Sequence, residues 1–268
     1  MPELPEVETI RRQASEKLIG MKITDAQYKP SKVAKGDLRQ VIGKRVTGVR
    51  RFGKLLVLDL QDNFSLCVHL KMTGQLTLQS EKKPEPKYAH ITFMLGNNQK
   101  LIFSDLRKFG YVHVLPTDHV VKQPFVRSLG KEMLKDFSFA DFEVMLKKSS
   151  RAIKVLLLDQ QKVAGIGNIY DNEALWMAKI HPARLAKSLK PAERKRLFQA
   201  LEDVLREGIN RGGASDNSYL DLFGQKGNYQ DFFKVYARKG QPCMRCQTPI
   251  ERLSLGGRGT FLCPHCQR

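Results

Sequence analysis

The chain has 268 residues, 41% of them hydrophobic, which suits two domains with real cores and argues against wholesale disorder. Lys and Arg number 46 against 27 Asp and Glu, and the net charge of +19 points to a polyanionic partner, since neutralising phosphates releases condensed counterions. No apolar run reaches the ~18 residues of a membrane span, and Met1-Pro2-Glu3-Leu4-Pro5-Glu6 lacks the basic-then-apolar layout of a signal peptide; the reading is a cytoplasmic protein with no membrane role.

Val7, Ile10 and Leu18 recur at rough helical spacing and predict an opening helix. Short apolar runs follow, at 54–60, 64–70, 89–95 and 111–115, most of them bounded by Gly, Asn, Asp or Pro, as in a sandwich or barrel. Phe64, Leu66, Val68 and Leu70 alternate with Ser65, Cys67, His69 and Lys71, which predicts a strand with one buried face and a half-buried Cys67. Beyond a linker holding Pro116 and Pro124, the period becomes helical. Ala164-Gly165-Ile166-Gly167-Asn168-Ile169-Tyr170 separates a helical pattern over 153–161 from another over 168–180. Such a turn leaves N–H groups free for a phosphate, with Asn168 as an N-cap and Lys154 close by, although Gly-x-Gly alone is more often a plain helix–helix turn. Pro191 opens a third helix whose buried face is Leu197, Ala200, Leu201, Val204 and Leu205. The expected class is α+β: a β domain over 1–115, a linker over 116–133, a helical domain over 134–233 and a small module over 234–268.

Cys243-x2-Cys246 and Cys263-x2-Cys266, 16 residues apart, have the spacing of a zinc ribbon. Four thiolates close a tetrahedron, so one Zn2+ would be structural and would carry no reactive water. The module holds seven Lys or Arg and one Glu, and Gly256-Gly257-Arg258-Gly259-Thr260 reads as a hairpin turn carrying Arg258. A solvated turn arginine is the alternative.

Joined together, these motifs resemble the formamidopyrimidine-DNA glycosylases, bacterial enzymes that excise oxidised purines. The resemblance runs through Pro2-Glu3-Leu4-Pro5-Glu6, Arg51-Phe52-Gly53-Lys54, His69-Leu70-Lys71-Met72-Thr73-Gly74, Asp105-Leu106-Arg107-Lys108-Phe109-Gly110, Ile153-Lys154, Gly165 to Tyr170, Val235 to Gly240 and the four cysteines. It implies an N-terminal β-sandwich with a leading helix, a helix–two-turn–helix domain and a zinc finger. It also implies loss of Met1, nucleophilic attack on the sugar by the Pro2 amine, proton transfer by Glu3, and elimination steps assisted by Lys54 and Arg258. Met72, Arg107 and Phe109 would fill the gap left by an extruded nucleotide. His90, Lys154, Asn168 and Tyr236 would contact the DNA backbone. The implied partner is damaged double-stranded DNA, bound by a monomer that becomes nucleoid-associated. The loop from Ala214 to Gln230, where a lesion cap is expected, departs from the family's usual Gly-Gly-Ser/Thr-Thr-Leu-Arg-Asp run, with Tyr219 and Leu220 in it, and leaves the lesion range open. Two rivals are an endonuclease VIII-type enzyme for oxidised pyrimidines, whose start typically has Gly where Leu4 stands, and a non-catalytic zinc DNA-binding protein.

Overall fold

A computed structural model describes every residue except Asn217, which belongs to the loop expected to cap a lesion and lies outside the described residues. Two compact units emerge: Met1–Arg127 with Ile209–Gln230, and Ser128–Gly208 with Asp231–Arg268.

The first unit opens with α1 (Leu4–Lys17). Pro5 sits in its first turn, where a missing N–H costs nothing. The Glu6 side chain accepts the Glu3 N–H at 2.6 Å, satisfying one of the donors that a helix start leaves orphaned. Nine strands follow: β1 (Ile23–Tyr28), β2 (Ala34–Lys35), β3 (Val46–Phe52), β4 (Leu55–Leu60), β5 (Phe64–His69), β6 (Gly74–Ser80), β7 (Ala89–Leu95), β8 (Gln99–Asp105) and β9 (Tyr111–Pro116). They build a four-stranded sheet in the order β1-β7-β8-β6 and a five-stranded sheet in the order β2-β9-β5-β4-β3. Every pairing is antiparallel except β2 with β9. One core joins Leu58, Leu66, Val68 and Val112 of the larger sheet to Leu76, Ile91, Phe93 and Phe103 of the smaller, with Val7 and Ile10 of α1. The unit is thus a sandwich with a leading helix.

β5 corrects the expectation of one buried face. Ser65, Cys67 and His69 are buried along with Leu66 and Val68. Cys67 belongs to a second cluster with Leu55, Val57, Leu115 and Val120, so the larger sheet is covered on both sides. Burial pushes the Cys67 thiol up to about 12, which keeps it protonated and inert.

A short α2 (Pro124–Arg127) ends the first long segment of that unit. The second unit holds α3 (Phe139–Lys147), α4 (Ile153–Leu157), α5 (Asn168–Met177) and, up to Gly208, α6 (Pro191–Asn210), then β10 (Glu251–Leu255) and β11 (Arg258–Leu262). The helix expected over 153–161 stops at Leu157, because Asp159 turns the chain: its carboxylate accepts the Gln161 N–H and its carbonyl accepts those of Lys162 and Val163. Tyr170, fully buried, packs where Gly208 of α6 lacks a side chain; a Cβ there would lie 2.6 Å from the Tyr170 hydroxyl.

Glu8 is the electrostatic hub of the first unit. Its carboxylate pairs with Arg11 at 2.9 Å, Arg12 at 3.0 Å and, across to β3, Arg51 at 3.0 Å. Burial alone would raise its pKa, but the three guanidiniums outweigh burial and hold it down to about 2. Because the folded value lies below the ordinary 4.5, the fold favours the ionised form; this stabilisation is complete above 4.5 and is lost as pH falls toward about 2. Glu8→Ala should therefore cost about 3 kcal/mol near neutral pH and markedly less near pH ~3. Urea unfolding midpoints of the two proteins at both pH values check this, and an equal gap at both would contradict it.

Candidate functional site

In the first unit, Pro2 is buried behind the exposed Met1, and Glu3, 3% exposed, forms the N-cap of α1. Glu6 ties this start to a distant segment: its second oxygen accepts the Ala214 N–H at 2.8 Å, and its carbonyl accepts the Tyr219 hydroxyl at 3.3 Å. Gly213, at φ +85°, makes the approach possible, since a Cβ would lie 2.9 Å from the Glu6 carboxylate. Tyr219 is thereby a core residue, with Leu222 beside it, which accounts for the unusual composition of this loop. The segment also docks on β6, where Leu78 N–H bonds the Leu222 carbonyl at 2.6 Å and Gln75 bonds the Ser218 carbonyl.

Lys54 follows Gly53 in the turn between β3 and β4 and is buried. That turn is braced from α1: Glu8 holds Arg51, and Arg51 in turn donates to the Gly53 carbonyl at 2.8 Å. Close to Lys54 lies His69, whose Nδ1 accepts the Lys71 N–H at 3.1 Å. Burial first, then the charges of Lys71 and Lys54, depress His69 to about 3, so its imidazole is neutral. Lys71 is itself shifted down by burial and by Lys35. Lys54 and Lys71 beside a neutral imidazole concentrate positive potential suited to a phosphate.

Met72, Arg107 and Phe109 come together at the surface. Met72 and Phe109 are 39% and 49% exposed, the Arg107 guanidinium stacks 4.7 Å from the Phe109 ring centre, and its Nη1 lies 3.3 Å from the Met72 sulfur. Exposed apolar side chains of this size mark an interaction surface. Asp105, 1% exposed, organises the loop: its carboxylate accepts the N–H groups of Arg107 at 3.1 Å and Gly110 at 2.7 Å, and the Thr73 hydroxyl beside Met72. His90 sits at a register shift in β7, its ring Nε2 2.9 Å from the Asp105 carbonyl. Asp105→Ala should leave the buried Gly110 N–H unanswered, remove the acceptor of the Thr73 hydroxyl and leave the Arg107 N–H only its 3.2 Å bond to Thr73, at a cost of roughly 2 kcal/mol. It should also loosen the loop, seen as faster amide exchange at residues 106–110, and unchanged exchange there would sink the assignment.

In the second unit Asn168 is not the helix cap expected. Gly167 is the N-cap of α5, with no side-chain cap, and the Asn168 carboxamide instead bonds Lys154 Nζ at 2.9 Å and the Gly259 carbonyl at 3.0 Å. Lys154 is fully buried and forms an ion pair with Asp171 at 3.3 Å, so it does not lie on a solvated face. Glu173, also buried, accepts the N–H groups of Lys234, Val235 and Tyr236 at 2.8, 3.0 and 2.8 Å and fixes the chain entering the finger. Burial raises its pKa even against these three donors. The Tyr236 ring packs between Phe233 and Phe261. Arg258 begins β11 after the Gly256-Gly257 turn and is exposed, with no side-chain partner among the described residues.

Neither Glu6, Asp105, Asp171 nor Glu173 was singled out by the sequence reading. Glu6 and Asp105 lie within quoted motifs and Asp171 and Glu173 near one, but a carboxylate that accepts distant backbone N–H groups or pairs with a buried ammonium leaves no periodic trace.

Cys243, Cys246, Cys263 and Cys266 place their sulfurs within 4.8 Å of one another, with separations of 3.3, 3.5 and 4.0 Å among them. A tetrahedron with metal–sulfur bonds of about 2.3 Å has edges of about 3.8 Å, so the set fits one structural Zn2+. The Thr248 hydroxyl, 3.4 Å from Cys246, is the main influence holding that thiol down to about 6, toward the thiolate a metal needs. Trp176, the single tryptophan, packs against Cys243 and Cys263 under the Arg245 guanidinium, 3.7 Å from its ring centre. Stripping the metal with a chelator should therefore expose Trp176, red-shift its fluorescence and melt the finger, with one zinc released per chain. Unchanged emission after complete zinc loss would contradict a structural metal.

Three family descriptions match the chain in order: the formamidopyrimidine-DNA glycosylase N-terminal domain over 1–112, the H2TH domain of the same enzymes over 129–219, and the zinc finger found in FPG and IleRS over 240–268. The formamidopyrimidine-DNA glycosylase of Pelotomaculum thermopropionicum is 41% identical over all of this chain and 99% of its own length. That of Streptococcus mutans is 40% identical over the whole of both. Among solved structures, a mutant Lactococcus lactis Fpg with DNA containing Fapy-dG is 36% identical and superposes with a TM-score of 0.92 over the whole of both chains. The wild-type Lactococcus lactis enzyme with DNA containing an oxidised pyrimidine is 36% identical, with a TM-score of 0.91 over the same extent. Zinc-finger DNA glycosylases are thus the class that fold and cysteine site define. The chain belongs to the formamidopyrimidine-DNA glycosylase family and is an enzyme.

Proposed function

We propose that this enzyme excises oxidised purines, 8-oxoguanine and formamidopyrimidines, from duplex DNA and then cuts the strand at the abasic site, with the Pro2 amine as nucleophile. The observation that carries the reading is the Met72–Arg107–Phe109 cluster, exposed and organised by Asp105, on the same unit that holds Pro2 and Glu3 at the start of α1. A damaged nucleotide is shielded in the stack, so it must be extruded first. Met72 and Phe109 would wedge the vacated step, and Arg107 would hydrogen-bond the orphaned base.

Pro2 can act only after Met1 is removed, because an acylated proline nitrogen has no nucleophilic lone pair. Its free secondary amine then attacks C1′ and gives up its proton as the base leaves with the glycosidic electron pair; the C1′–O4′ bond of the resulting aminal then breaks, its electrons going to the ring oxygen, and an iminium forms. Glu3 supplies a proton to the sugar ring oxygen and shuttles protons later. The iminium acidifies the adjacent sugar hydrogen, so β-elimination expels the 3′ phosphate and δ-elimination the 5′ phosphate. Lys54, beside the neutral His69 and the Lys71 charge, would hold phosphate during these steps, and Arg258 would grip it and assist the second. His90, Asn168 and Tyr236 would position backbone. Lys154 would act from inside, since it is buried.

By function the chain divides into a catalytic part over 1–115, a helical DNA-binding part over 134–233 and a finger over 234–268, joined by a linker over 116–133. No helix among the described residues is long and apolar enough to cross a membrane. We place the enzyme on bacterial DNA in the cytoplasm, working as a monomer.

Borohydride trapping tests the chemistry. Protein lacking Met1 should form a covalent adduct with an 8-oxoguanine:C duplex, and Pro2→Gly should not. Glu3→Gln should slow base release by ~10²–10⁴-fold while still trapping on a preformed abasic site. Absence of any adduct would end the lyase reading, and rapid thymine glycol removal without 8-oxoguanine cleavage would favour the pyrimidine rival.

A further inference from the structure

Lys154 and Asp171 are both 0% exposed, with Nζ 3.3 Å from Oδ2. A buried ammonium is costly without a counter-charge, so Asp171 is what permits Lys154 to remain charged inside the second unit. The ammonium has donors only, and the atom of Asn168 that it meets at 2.9 Å must therefore be the amide oxygen. That choice turns the Asn168 amide nitrogen to the Gly259 carbonyl, 3.0 Å away, one residue beyond Arg258. Asn172, one turn along α5, extends the grip. Its nitrogen bonds the Asn168 carbonyl, and its oxygen accepts the Phe261 N–H at 2.7 Å. On the other side of the hairpin tip, Gly256 lies so close to α4 that a Cβ would meet Val155 Cγ2 at 2.9 Å. Both flanks of the Arg258 turn are thus held by α4 and α5, while the Arg258 side chain itself is unpaired among the described residues.

We propose that Asp171 is a positioning residue for strand cleavage: through Lys154 and Asn168 it sets the amide that fixes the Arg258 hairpin. Arg258 must meet a phosphate whose leaving oxygen departs in the second elimination, and a misplacement of about an ångström can cost ~10²-fold in rate. Without the ammonium, the Asn168 amide oxygen loses its shorter, charged donor and keeps the longer contact from Asn172 Nδ2 at 3.4 Å, a weaker hold on its orientation. In the flipped orientation its oxygen would face the Gly259 carbonyl, and the hairpin would be released. The two charges lie wholly inside the unit, so Asp171 touches neither substrate nor reacting atoms.

This rests on the lyase reading above, and the experiment separates the two. Asp171→Asn and a Lys154→Met/Asp171→Leu double variant are incubated with an abasic-site duplex. The ratio of β- to δ-elimination product is read against the borohydride adduct formed by the same sample, so losses of binding cancel. The expected result is a ratio raised about tenfold in both variants, as for loss of one charge-assisted hydrogen bond. Asn168→Leu should show the same shift. The double variant replaces the ion pair with apolar side chains and should keep its melting temperature and its zinc, so it decides the matter if Asp171→Asn unfolds. A stable double variant with the wild-type ratio would show that Asp171 serves stability alone and overturn the proposal. Wild-type protein lacking the adduct would instead refute the lyase reading.

Discussion

Asp105 accepts backbone N–H groups from Arg107 and Gly110 and a hydroxyl from Thr73, and it is 1% exposed. The device recurs. Glu6 takes N–H groups from Glu3 and Ala214, and Glu173 takes three from Lys234, Val235 and Tyr236. A chain of net charge +19 that meets a polyanion needs cations outside and loops of fixed shape to carry them. A buried carboxylate serves both needs. It accepts several donors at once, more strongly than a neutral acceptor does, and its own negative charge stays away from the phosphate. The loops that carry Arg107, Phe109 and Tyr236 are therefore set from within, by buried carboxylates.

Preorganisation of this kind matters because the reaction begins with an unfavourable extrusion. Side chains that are held in place by one another would add little further ordering cost at that moment. Met72, Arg107 and Phe109 meet one another through ring stacking and a sulfur contact. Likewise the loop after Gly213 is docked by Glu6, Tyr219, Gln75 and Leu78, all within the first unit. Its departure from the family's usual composition has the same origin: Tyr219 is a packing residue whose hydroxyl serves α1.

The sandwich, the helical domain and the finger could be read from strand-length apolar runs, a helical period after Pro191 and two Cys-x-x-Cys pairs, because each is a local or periodic signal. The motifs around Pro2, Lys54, Met72, Arg107 and Arg258 were legible as a family resemblance. The hidden features were long-range. The burial of Ser65 and Cys67 depends on a second layer over the larger sheet, which no alternation within β5 can report. The end of α4 at Leu157 depends on Asp159 folding its carboxylate and carbonyl onto the next residues, where the apolar spacing alone would continue the helix. Asn168 looked like a cap because Asn is a good one. It is instead drawn away by an ammonium 14 positions earlier in the chain and a carbonyl 91 positions later.

Lys154 changes its role through the same rearrangement. Read from the sequence, it is a cation near a phosphate-binding turn. Inside the fold its charge is cancelled by Asp171, and it gives its surroundings direction rather than field. Coulombic attraction to a phosphate outside would have to compete with a carboxylate at 3.3 Å in a medium that screens poorly. Zinc works on the same hairpin from its far end, since the sulfurs of Cys263 and Cys266 follow β11 directly. Metal and buried ion pair thus constrain one short strand from opposite ends, and Arg258 stands at the end that the ion pair governs.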